Sequence, residues 1–197
     1  MKPQALVLAS ANPGKARELE QLLPAGFSVR PQSDWNVKPV AETGLTYVEN
    51  ALLKARHAAT VSGLPAIADD SGLEVDFLEG APGLYSARFA GIDATDATNL
   101  AKLLEALATA PPSRRSARFR CVLVCLRTPT DAAPILAQGI WEGQILEHPC
   151  GTGGFGYDPV FLPAGFRHSS AEMDAATKNR LSHRGQAMAR LIQELRN

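Results

Sequence analysis

The sequence predicts an α/β fold built on a mixed β-sheet with flanking helices. Short apolar runs alternate with amphipathic helical stretches through the first half of the chain, as parallel strands with crossover helices do. Two long strand-like segments, residues 117–127 and 135–147, then flank Thr128-Pro129-Thr130-Asp131, which predicts an antiparallel pair. A last helix carries Met188, Leu191, Ile192 and Leu195 at the i, i+3, i+4, i+7 spacing of one buried face.

The elements follow in order. Residues 5–9 form a continuous apolar run of the kind buried on both faces. Ser10-Ala11-Asn12-Pro13-Gly14 is turn chemistry, and residues 15–23 read as a helix with Leu19, Leu22 and Leu23 on one side. Residues 27–30 suit a second strand, while 31–44 lack periodicity and read as a loop. Thr46 with Glu49 three residues later predicts a capped helix striped by Val48, Leu52, Ala55 and Ala59 and ended by Gly63. A short strand at 65–68 runs into Asp69-Asp70. Thr95 or Asp96 can cap a helix reaching about Leu107, and Pro111-Pro112 stops it. Four glycines between residues 151 and 156 exclude a helix or strand interior there. A short strand comes next, and Ser182 caps the last helix. Length favours a single domain over residues 1–197.

The composition, 45% hydrophobic and 20% charged, is that of an ordinary soluble globular protein. Twenty basic residues balance twenty acidic ones, so neither nucleic acid nor an anionic membrane is an expected partner. On one strand, Cys121 and Cys125 would stand roughly 13 Å apart, too far for a disulfide. The cysteines therefore read as small core side chains of a reducing compartment. The four histidines are scattered without ligand spacing, so no zinc site is expected. Ala9-Ser10-Ala11 mimics a signal-peptidase site, but the apolar stretch before it is too short for a signal peptide. A cytoplasmic location is expected.

Four places could carry chemistry. Ser10 to Lys15 join a buried strand to a helix, where amide N–H groups, the positive dipole end and Lys15 would welcome an anion. This is not a P-loop, since Ala16 stands where Ser or Thr would bind magnesium, and a plain strand–helix turn also explains it. Asp69 and Asp70 on extended backbone point to opposite faces, one into a cleft and the other capping local backbone. With Glu42 arriving from the preceding loop, carboxylates from separate segments beside a phosphate suit Mg²⁺; the alternative is an Asx turn ending the strand. Asn50 and Lys54 share a helix face beside Glu49, as a solvated surface or as ligand contacts. Ser182-His183-Arg184 offer donors that either lie exposed or face a ligand carbonyl.

In this order the segments resemble the Ham1/RdgB family of inosine and xanthosine triphosphate pyrophosphatases. The resemblance rests on Ser10-Ala11-Asn12-Pro13-Gly14-Lys15, Glu42-Thr43-Gly44, Glu49-Asn50-Ala51, Lys54-Ala55 and Ala68-Asp69-Asp70-Ser71-Gly72-Leu73. It continues through Gly80-Ala81-Pro82-Gly83, Tyr85-Ser86-Ala87-Arg88, Gly151-Thr152-Gly153-Gly154-Phe155-Gly156-Tyr157-Asp158-Pro159 and Ser182-His183-Arg184-Gly185. The family often has Thr-Gly-Asn at the first motif; Ser10-Ala11-Asn12 keeps the hydroxyl and the Asn.

The resemblance implies an ITPase-like fold (anticodon-binding-like or Maf-like), an elongated mixed sheet with two lobes around a nucleotide cleft, and a homodimer. It implies hydrolysis of a non-canonical purine nucleoside triphosphate to monophosphate and pyrophosphate. Ser10, Ala11, Asn12, Pro13, Gly14 and Lys15 would bind the phosphates, assisted by Lys54. Asp70 would be the catalytic acid residue and, with Glu42, a Mg²⁺ site, while Ser71 would touch substrate. Phe155, Gly156, Tyr157, Asp158, Lys178, His183 and Arg184 would form the base pocket. Asp69 reads as structural support. A sensing module that binds nucleotide without cleaving it, and a pyrophosphatase for other modified nucleotides, are the competing readings.

Overall fold

The computed structural model describes residues 4–24 and 26–196. A single sheet runs in the order β2-β1-β3-β4-β5-β6. Its strands are β1 (Gln4–Leu8), β2 (Phe27–Pro31), β3 (Ala66–Val75), β4 (Ser116–Leu126), β5 (Ile135–Ile145) and β6 (Phe161–Pro163). The helices are α1 (Pro13–Leu22), α2 (Tyr47–Ser62), α3 (Asp96–Ala106), α4 (Ala175–Leu181) and α5 (His183–Arg196). β1 lies parallel to both β2 and β3, as the strand–helix alternation requires, and β6 lies antiparallel to β5. The sheet is therefore mixed.

The chain divides into two compact units. The first lies within residues 1–70, 121–139 and 184–197, and the second comprises residues 71–120 and 140–183. In the first unit the strands are covered on both faces. Val7, Ala9, Val122, Val124 and Leu126 pack with α2 on one side. Leu6, Leu8, Cys121, Leu123 and Cys125 pack with α1 and α5 on the other. That double burial is why residues 5–9 read as one uninterrupted apolar run. All three cysteines are free thiols, Cys121 and Cys125 buried and Cys150 exposed.

Several elements differ from their expected form. α2 turns Ala51, Ala55, Ala58 and Ala59 inward, while Val48 and Leu52 lie at the margin of that core. Small residues at this spacing let the helix lie close to the sheet, so the buried face is rotated from the expected stripe. α1 begins earlier, at Pro13, whose missing N–H is harmless at a helix start. Residues 32–35 form a 3₁₀ turn inside the segment read as loop. β3 does not end at the aspartates but continues through Asp69, Asp70, Ser71 and Gly72 to Val75, so no Asx turn forms there. α4 was not foreseen: seven residues with no apolar stripe, capped by Asp174 accepting from the Thr177 N–H at 2.8 Å.

The second unit buries Leu73, Leu103, Leu107, Phe119, Trp141, Tyr157 and Phe161 in its own core. Thr95 caps its helix α3, with Thr98 completing a reciprocal box. No helix of the described residues is long and apolar enough to cross a membrane.

Candidate active site

The first unit holds two charged groups, one on each side of β3. Asn12 caps α1, its Oδ1 accepting from the N–H groups of Gly14 (2.8 Å) and Lys15 (3.1 Å). Ser10 Oγ accepts from the Asn12 N–H at 3.2 Å. The amides expected to greet an anion are thus partly engaged by Asn12. With its oxygen committed, the carboxamide presents its NH₂ as a donor instead.

Lys15 reaches from α1 to Asp69, with Nζ at 2.5 Å from Oδ1. Arg184, at the start of α5 and 2% exposed, donates through Nε to Asp69 Oδ2 at 2.7 Å and pairs through Nη1 with Glu18. Cys121 Sγ donates to the same Oδ2 at 3.2 Å. Burial works against ionising Asp69, but Arg184 and Lys15 outweigh it and hold the carboxyl well below the usual range. Asp69 therefore binds side chains from two helices, α1 and α5.

Asp70 points to the opposite face, as alternation on a strand requires. Lys54 Nζ lies 2.6 Å from Asp70 Oδ1 and 2.8 Å from Glu42 Oε1, so two carboxylates from separate segments share one cation. Burial raises the Asp70 carboxyl above its ordinary value; Lys54 draws it back and Glu42 adds to the rise. Burial likewise opposes the charge on Lys54, and Asp70 with Glu42 overcomes it. The Glu42 loop is tied to α2 by residues read earlier as a helix face. Asn50, 1% exposed, accepts from the Gly44 N–H at 2.8 Å, and Glu49 accepts from the Leu45 N–H at 2.7 Å. The glutamate thus reaches one residue beyond the capping position.

The second unit holds the glycine-rich loop. Asp158, 3% exposed, accepts from the Phe155 N–H (2.8 Å), Ser170 Oγ (2.8 Å) and Lys178 Nζ (2.6 Å). The Lys178 ammonium also stands 5.1 Å from the Phe155 ring centroid, a cation–π distance. His183 stacks on Phe119 with ring centroids 4.7 Å apart. Tyr157 is directed inward: its ring is in the core and its hydroxyl donates to the Ser86 carbonyl at 2.8 Å. Ser71, next to Asp70 on β3, is half-buried.

Residues 6–194 match the model of the Ham1 family. The chain belongs to the Ham1 family. A relative named dITP/XTP pyrophosphatase from Photobacterium profundum is 55% identical over 193 residues, 98% of each chain. One of the same name from Escherichia coli (strain K12) is 54% identical over 195 residues, 98% of this chain and 99% of the relative. The solved structure of a HAM1 protein from Coxiella burnetii superposes with a TM-score of 0.89 at 47% identity, covering 98% of both chains. The ITPase-like α/β fold expected from the sequence is thereby borne out.

Within this Ham1 chain the structure brings together Glu42, Lys54 and Asp70 in one group and Lys15 and Arg184 with Asp69 in another, both in the first unit. Phe155, Asp158 and Lys178 form a third in the second unit. Arg184, expected in the base pocket, is tied to Asp69 and Glu18 in the first unit. Sequence reasoning missed Glu18, Ser170 and the contact from Cys121 to Asp69. Ser170 carried a signal, since Ser169 and Glu172 around it make a capping box; Glu18 and Cys121 carried none.

The glycine at 153 has a steric reason. A Cβ at Gly153 would stand 2.6 Å from the Ala171 carbonyl oxygen, which the Gly153 N–H now uses at 3.0 Å. Gly153→Ala is expected to break that bond and lower stability by about 1 kcal/mol, a fall in Tm of about 3 °C by thermal unfolding. An unchanged Tm would mean that the loop is not held at Ala171.

Proposed function

We propose that this chain is a nucleoside triphosphate pyrophosphatase that hydrolyses non-canonical purine nucleotides, ITP, dITP and XTP, to the monophosphate and pyrophosphate. It removes these nucleotides before they enter DNA and RNA. The observation that carries the reading is the convergence of Asp70 and Glu42 on the Lys54 ammonium, beside a buried Asp69 that organises Lys15 and Arg184. The names of relatives about 55% identical over nearly the whole chain support it.

Phosphate oxygens are bound by the stretch Ser10, Ala11, Asn12, Pro13, Gly14 and Lys15, with Lys54. The Asn12 NH₂ and the Ser10 hydroxyl supply donors and Lys15 supplies charge. Asp70 accepts the proton of the water that attacks the α-phosphorus. As the new P–O bond forms, the bond to the bridging oxygen of the β-phosphoryl group breaks and pyrophosphate leaves, its charge met by the lysines. A carboxylate whose pKa is raised by burial suits that task better than an ordinary one. Glu42 and Asp70 fit Mg²⁺: two oxygen donors already converge on one cation, and the ion usually completes its shell with phosphate oxygens and water. Bound there, it supplies charge neutralisation for the leaving group. Ser71 contacts the substrate beside Asp70.

The base is taken by Phe155, Gly156, Asp158, Lys178 and His183, with Tyr157 anchoring the loop from the core. Phe155 stacks on the purine, which gives affinity without choice. Donor-only Lys178 suits the C6 oxygen of hypoxanthine and xanthine and opposes the amino group of adenine. The chain acts in the cytoplasm as a homodimer, and light scattering should give twice the 21.0 kDa chain mass.

The test is a panel of ITP, dITP, XTP, GTP, ATP and dTTP, with magnesium and with magnesium chelated, scored by pyrophosphate release. Turnover of the inosine and xanthosine nucleotides at least about a hundredfold faster than ATP is expected, and only with the metal present. Equal rates on ATP and ITP would defeat the selectivity. Release of orthophosphate would defeat the reaction class, and tight binding without cleavage would favour the sensing module.

A further inference from the structure

The glycine-rich loop is braced by a residue that none of the motifs above includes. Asp96, the first residue of α3, accepts from the Gly156 N–H through Oδ2 at 2.7 Å, across 60 positions of chain. Two further contacts of the loop come from nearer in the chain: Gly153 N–H to the Ala171 carbonyl at 3.0 Å and Phe155 N–H to Asp158 at 2.8 Å. Tyr157, anchored on the Ser86 carbonyl at 2.8 Å, ties the far side of the turn to the segment that leads into α3. Gly156 itself has φ 60°, the left-handed region, and without an anchor a glycine there samples many other conformations.

The helix does not need this carboxylate as a cap. Thr95 Oγ1 already accepts from the Thr98 N–H at 3.2 Å, and Thr98 Oγ1 accepts from the Thr95 N–H at 2.8 Å. The Asp96 acceptor is aimed at the loop instead.

We propose that Asp96 is a positioning residue for base recognition: by accepting the Gly156 N–H it holds the turn that presents Phe155 to the purine. This rests on the reading of Phe155 to Asp158 as the base-binding loop. Asp96 touches no substrate atom and acts only through the Gly156 amide. Its loss leaves the Asp70 chemistry in place and weakens the grip on the base.

The test compares Asp96→Ala, which removes the acceptor, with Asp96→Asn, which keeps an acceptor oxygen without the charge. Asp96→Ala is expected to raise KM for ITP about tenfold with kcat within about twofold, and to narrow the preference for ITP over ATP. Asp96→Asn should recover most of both. Hydrogen exchange of residues 151–157 in the substrate-free protein should quicken in Asp96→Ala and stay slow in Asp96→Asn. If both variants merely lower Tm, with KM, preference and loop exchange unchanged, Asp96 only complements the dipole of α3 and the proposal is overturned. The exchange arm needs no turnover, so unaltered exchange in Asp96→Ala counts against the brace. Absence of pyrophosphate release by the wild-type protein would instead count against the proposed function.

Discussion

Asp70→Asn is expected to lower kcat for pyrophosphate release about a thousandfold and leave the protein folded. The substitution keeps the size of a side chain that is 6% exposed, and Lys54 retains its 2.8 Å partner Glu42. What disappears is the ability to take a proton from the attacking water, together with one of the two anionic oxygens offered to Mg²⁺. The pH profile adds a second reading. Burial raises the Asp70 carboxyl above 3.8. Its protonated form cannot act as a base, so wild-type kcat/KM should fall as pH drops through that raised pKa. In Asp70→Asn the residual rate should lack this acid limb. Steady-state rates between about pH 4 and pH 9, with thermal unfolding as the fold control, check both points. A variant within about tenfold of wild type would remove Asp70 from the chemistry.

Asp69→Asn is expected to cost about 3–5 kcal/mol of stability, because it strips the buried partner from two cations at once. Asp69 and Arg184 are 1% and 2% exposed, and Lys15 closes on the other carboxylate oxygen. The carboxamide would offer one acceptor oxygen and turn an NH₂ toward a positive donor. For a chain of this size the loss corresponds to a fall in Tm of about 10 °C. The pH dependence has a definite sign. The folded-state pKa of Asp69 lies well below the unfolded value of 3.8. Its contribution is therefore complete above 3.8 and is lost as pH falls through the folded pKa. Thermal unfolding from neutral to acid pH should show a steeper acid loss in wild type than in the variant. Equal slopes with a Tm within about 2 °C would mean that the Lys15–Asp69–Arg184 cluster carries little stability.

Much of the fold was legible because its signals are local. The apolar run at 5–9 announced a strand covered on both faces, and Val7 and Ala9 face one core while Leu6 and Leu8 face the other. Thr46, Thr95 and Gly63 marked helix ends where they occur. α4 left no trace, since seven largely polar residues carry no periodic stripe. For the Asp-Asp-Ser-Gly segment the sequence left an Asx turn open beside extended backbone, and it lies mid-strand because the sheet and its charged partners hold it extended. The rotated face of α2 follows from how closely the helix lies on the sheet, which hydrophobicity alone does not encode.

By itself the sequence determined the α/β class, the positions of most elements, and the residue types that a nucleotide-cleaving site requires. Each depends on neighbours a few positions away, through backbone periodicity, caps and side-chain chemistry. Only the tertiary structure decided which charges meet. Asp69 joins Arg184 across 115 positions, Lys54 joins Glu42 and Asp70, and Asp96 reaches Gly156 across 60. A buried carboxylate needs a cation, and several cations along the chain would serve equally well on charge alone. The order and register of the strands select among them, because only that arrangement brings the separate segments within hydrogen-bonding distance.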